Sequence, residues 1–70
     1  MSFLPVSKIH DFAYNAPSKT LTISFGSPTS SIVRFWDVPE YEFLNLKYAE
    51  DQNEYYLENI RGQYEYTTIL

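Results

Sequence analysis

One stretch constrains this chain more than any other. Ser31-Ile32-Val33-Arg34-Phe35-Trp36-Asp37-Val38-Pro39 alternates as a strand and then carries the residues that start a helix. In its strand half Ile32, Arg34 and Trp36 point one way, and Val33 and Phe35 the other. In its helix half Asp37 suits the N-cap, Pro39 fits a first turn where its missing N–H costs nothing, and Glu40 stands three residues after Asp37. Pro39 also pushes Val38 toward extended geometry. The pattern predicts a switch from strand to helix within about two residues.

What precedes the junction reads as strand. Lys8–Asn15 alternates, with His10, Phe12 and Tyr14 expected on one face and Ile9, Asp11 and Ala13 on the other. The turn residues of 15–19 lead into Thr20–Phe25, where Leu21, Ile23 and Phe25 point inward and Thr20, Thr22 and Ser24 outward. One-sided alternation of this kind predicts an antiparallel sheet with one wet face. Phe3, Leu4 and Val6 make the first seven residues too apolar for a free tail, so they are expected to pack across the sheet edge.

After the junction, a helix over about 39–49 offers Tyr41, Leu44 and Tyr48 along one stripe, with Phe43 and Leu46 beside it. Residues 50–53 break it, and Asn53 suits a left-handed C-cap. A short second helix over 54–61 pairs Tyr56 with Ile60 as core, leaves Tyr55 on the surface and ends at Gly62. The tail from Tyr64 to Ile69 alternates at period two and can add a fourth strand. The expected fold is a single α+β domain over 1–70: a three-stranded antiparallel meander covered by one helix, a short second helix and an extended tail.

Seventy residues without cysteine cannot be stapled by disulfides or thiolate metal sites. Thirteen aromatics are too many for so small a core, so some are exposed and become candidate contact residues. Net charge is −4, and the five basic residues are scattered. That disfavours nucleic acid, which needs a cluster of cations. No apolar run reaches the ~20 residues of a membrane span, and no signal peptide opens the chain, so a cytoplasmic protein is expected.

The motif Ser7-x-Ile9, Leu21-x-Ile23-x-Phe25, Arg34-Phe35-x-Asp37-Val38-Pro39, Tyr55-Tyr56 and Ile60-Arg61-Gly62-x-Tyr64-x-Tyr66 resembles the KTSC domain. That family is named for its place at the C-terminus of some lysyl-tRNA synthetases, and it also stands alone in small bacterial and phage proteins. Two departures are visible: the family's central Tyr-x-Tyr falls at Val33 and Phe35, and its usual Gly between the helices falls at Asn53. The resemblance implies a small α+β domain and, through the synthetase connection, RNA binding.

No residue set has the spacing of a catalytic or metal site. His10 is the only histidine, the loop hydroxyls lack a neighbouring base, and Glu40, Glu42, Glu50 and Asp51 read as solvated charge. No enzyme and no cofactor is expected. Arg61 at a helix end either caps carbonyls, pairs with Asp37 or Glu58, or joins Arg34, Tyr64 and Tyr66 in a contact patch. Trp36 lies opposite Phe35 and is either covered by a chain end or exposed as an anchor. The expected function is a non-catalytic module binding a protein partner through Arg34, Trp36, Tyr55, Arg61, Tyr64 and Tyr66, as a phage or prophage inhibitor of a host protein would. RNA binding by the same arginines and tyrosines is the alternative, and a structural homo-oligomeric protein is the third reading; the expected state is a monomer or weak homodimer.

Overall fold

A computed structural model describes residues 8–27 and 31–70. The expectation for Phe3, Leu4 and Val6 lies outside them. Four strands form one antiparallel sheet in chain order: β1 (Lys8–Asn15), β2 (Thr20–Ser27), β3 (Ser31–Phe35) and β4 (Tyr66–Thr68). The tail does supply the fourth strand, pairing Phe35 with Tyr66 and Val33 with Thr68. Leu21, Ile23 and Phe25 of β2 and Val33 and Phe35 of β3 are buried, as their alternation requires.

The faces of β1 differ from simple alternation. Ile9 pairs with Phe25 and Asp11 with Ser24, so His10 is an extra residue bulged out of the ladder. Ile9 thereby joins Phe12 and Tyr14 against the core, and His10 is exposed. The bulge explains Gly26, the extra residue on β2: a Cβ there would stand 3.3 Å from the His10 Cβ. Side chains take two N–H groups on the outer border of β1. Asn53 Oδ1 accepts the Ile9 N–H at 2.9 Å, and Asp11 Oδ1 accepts the Phe12 N–H at 2.9 Å.

The junction takes four residues rather than two, because it buries Val38. Asp37 adopts φ +55, a left-handed conformation that Asp tolerates, so it cannot be the N-cap. Val38, fully buried, donates its N–H to Lys19 O at 2.9 Å and accepts the Tyr14 hydroxyl at 2.6 Å. Pro39 is the cap position, with no side-chain bond to the helix, and α1 (Glu40–Lys47) follows.

α1 is turned the other way from its expected stripe. Tyr41, Leu44 and Tyr48 are exposed, whereas Glu42 and Leu46 are buried, with Phe43 half-buried and stacked on Tyr14 at 5.0 Å. α2 (Gln52–Tyr55) starts at Asp51, whose carboxylate accepts the Glu54 N–H at 3.1 Å. Asn53 therefore lies inside a helix and is no C-cap. α2 runs on into a widened π turn, Tyr56–Ile60, closed by the Arg61 N–H on Tyr56 O at 2.8 Å. Tyr56 and Ile60 are core, as expected, with the Tyr56 ring 5.1 Å from Phe25 and 5.9 Å from Phe35. Gly62, at φ +82, ends the helical segment.

Candidate functional site

Among the described residues the helices cover one face of the sheet and leave the other open. On the open face β3 projects Ile32 and Arg34, and Trp36 follows them in the same alternation. Trp36 is held but not covered. Its backbone N–H bonds Glu65 O at 2.9 Å, its indole N–H donates to Thr67 Oγ1 at 3.0 Å, and Arg34 lies over the ring at 5.8 Å. The side chain remains 39% exposed. Beside it is a shallow depression of about 510 Å³ lined by Ala13, Asn15, Thr20, Thr22, Arg34 and Trp36. By register Asp11 and Glu65 share this face, so the Arg34 charge at its centre is offset at the rim.

A second arrangement lies on the helical side, around Glu42. This carboxylate is 8% exposed, and both its oxygens accept phenol hydroxyls: Oε1 from Tyr55 and Oε2 from Tyr64, the latter at 2.7 Å. Burial first, and the bond to Glu42 second, raise the pKa of both phenols above the ordinary tyrosine value. Glu42 is thus not solvated, and Tyr55 is not a free surface residue; the cluster ties α1, α2 and the chain after Gly62 together. The sequence carried one sign of this: Glu42 stands four residues before the buried Leu46, on the same helix face.

The six expected contact residues do not form one patch. Arg34 and Trp36 lie together on the open sheet face. Tyr55 and Tyr64 hold Glu42. Tyr66 packs beside Phe35, with ring centroids 6.2 Å apart. Arg61 is half-buried at the end of the π turn, where its charge opposes the effect of burial on the Tyr56 hydroxyl. Charge is also divided. Six of the nine acids (Glu40, Glu42, Glu50, Asp51, Glu54 and Glu58) fall between residues 40 and 60 with one base, Lys47, leaving that stretch at −5 and the rest of the chain at +1. Among the described residues no group of His, Cys, Asp or Glu is arranged to hold a metal ion, and no helix is long and apolar enough to cross a membrane.

Comparison with known proteins agrees with this architecture. The sequence profile of the KTSC domain matches residues 6–64. The crystal structure of a KTSC domain protein from Yersinia pestis superposes with a TM-score of 0.83 at 21% identity, covering 96% of this chain and 92% of that one. No curated protein matches the sequence.

Proposed function

This chain belongs to the KTSC domain family, and on that footing we propose that it is a small non-catalytic module that binds a protein partner with the open face of its sheet. The observation that carries this reading is Trp36, held by Thr67 and Arg34 yet 39% exposed on a face that no helix among the described residues covers. Tryptophan and arginine are the residues whose burial most often dominates protein interfaces. A ring already fixed by its indole bond loses little conformational freedom on binding. The small size and acidic charge suit an inhibitor of a host protein, of phage or prophage origin, acting in the cytoplasm.

RNA binding, the family's suggested role, fits this surface less well. Its cation at the centre is Arg34, with Asp11 and Glu65 on the same face, and Tyr55 and Tyr64 have their hydroxyls committed to Glu42. The test is a pull-down from lysate, with and without nuclease, comparing the wild type with Trp36→Ala. A protein that survives nuclease and is lost with Trp36→Ala supports the reading. Recovery of RNA alone would replace it with the nucleic-acid reading. A mass above 8.3 kDa that rises with concentration would point to self-association instead.

A further inference from the structure

We propose that the solvent face of α1 is a second docking surface, on the opposite side of the molecule, for a basic amphipathic helix of a partner protein. Tyr41, Leu44 and Tyr48 stand at i, i+3 and i+7 and are 63%, 39% and 74% exposed. This is the spacing with which one helix presents an apolar seam to another. Among the described residues nothing covers this stripe, because the core-facing side of α1 is a different one, made of Glu42, Phe43 and Leu46.

Charge selects the occupant. The seam belongs to the stretch that carries −5, whereas the rest of the chain carries +1. Its one base is turned onto the rings at the edge of the seam: the Lys47 ammonium lies 6.0 Å from Phe43 and 5.4 Å from Tyr48. An anionic membrane and a nucleic acid would each bring negative charge to a negative surface, as would a second copy seated by the same face. A helix with apolar residues on one side and Lys or Arg flanking them matches both the seam and its rim. This surface is independent of the open sheet face, and neither needs the other.

The test uses three synthetic peptides against the isotope-labelled chain. One is an amphipathic helix of leucine and lysine, one has the same composition with the leucines scattered, and one replaces lysine by glutamate. The expected result is binding of the first peptide, with amide shifts confined to α1 and the turn after it and an affinity roughly tenfold or more above that of either control. Leu44→Ser with Tyr48→Ser should weaken it by at least about tenfold while the chain still unfolds cooperatively, because neither side chain belongs to the core. Trp36→Ala should bind the peptide as the wild type does. Equal affinity for the scattered peptide, shifts on the sheet face, an indifferent double variant or no binding would each overturn the proposal.

Discussion

Glu42 and Tyr64, twenty-two positions apart, are joined by a 2.7 Å hydrogen bond from the phenol to a carboxylate that is 8% exposed. Together with Tyr55 on the other oxygen, this makes a polar clasp at the edge of an otherwise apolar core. A buried carboxylate is costly unless its lone pairs are satisfied, and here two phenols from two further segments satisfy them. The clasp fixes where the chain goes after Gly62, and so delivers Tyr66 to its place beside Phe35.

Glu42→Ala is expected to destabilise the fold by about 2–4 kcal/mol, since it deletes two charge-assisted bonds and strands two half-buried hydroxyls. In a domain of this size that lowers Tm by at least roughly 10 °C. Glu42→Gln keeps the volume and one acceptor and should cost less. Urea unfolding of the three proteins checks this; a loss below about 0.5 kcal/mol for Glu42→Ala would show that the clasp holds nothing.

Alkali should loosen the fold through the same residues. The phenols of Tyr55 and Tyr64 have pKa values raised above 10.0, by burial and then by Glu42. Below that value both the folded and the unfolded chain keep these protons, and the stabilisation is complete. As pH rises past it the unfolded chain releases them first, so stability falls until the folded phenols also ionise. The urea midpoint should be level from neutral pH to about 9 and decline above about 10. In Tyr55→Phe/Tyr64→Phe the decline should be shallower; an unchanged slope would assign it to other groups.

Tyr56→Phe should stabilise the chain. The Tyr56 ring is core, but its buried hydroxyl has no hydrogen-bond partner among the described residues, and burial pushes its pKa up to about 12. Removing an unsatisfied buried hydroxyl while keeping the ring is expected to gain about 1 kcal/mol. A loss of stability on urea unfolding would mean that the hydroxyl is satisfied in solution.

Gly62→Ala isolates a backbone effect. An added Cβ would meet no atom within 4 Å, so the expected cost of about 1–2 kcal/mol comes from φ +82 alone. Gly62→Asn should recover part of it, because Asn enters this region more readily. Equal stability of the alanine variant and the wild type would rule out a left-handed residue at this position.

The strands were legible because their signal is binary. Leu21, Ile23 and Phe25 alternate with hydroxyl residues, and burial followed that alternation. β1 was misread at Ile9 and His10 because a bulge moves one residue to the other face without changing the composition. The junction was misread because Asp37 is equally at home as an N-cap and in the left-handed region, and only the burial of Val38 decides between them. α1 was turned round for a related reason: ranking faces by apolarity sets Tyr41, Leu44 and Tyr48 above a face containing Glu42. That ranking fails when distant tyrosines satisfy the carboxylate. Of the candidate site, alternation alone placed Arg34 and Trp36 correctly on one face. It could not separate them from Tyr55 and Tyr64, whose neighbours come from other parts of the chain.

The side chains on the outer border of β1 bear on how the protein behaves when crowded. An open border with free N–H groups invites a neighbouring chain to continue the sheet, and stacking of that kind leads to fibrils. Here Asn53 and Asp11 occupy two of those groups, and the His10 bulge spoils the flatness that a joining strand would need. On the β1 side, therefore, a chain with nineteen per cent aromatic residues offers a neighbour little on which to extend the sheet.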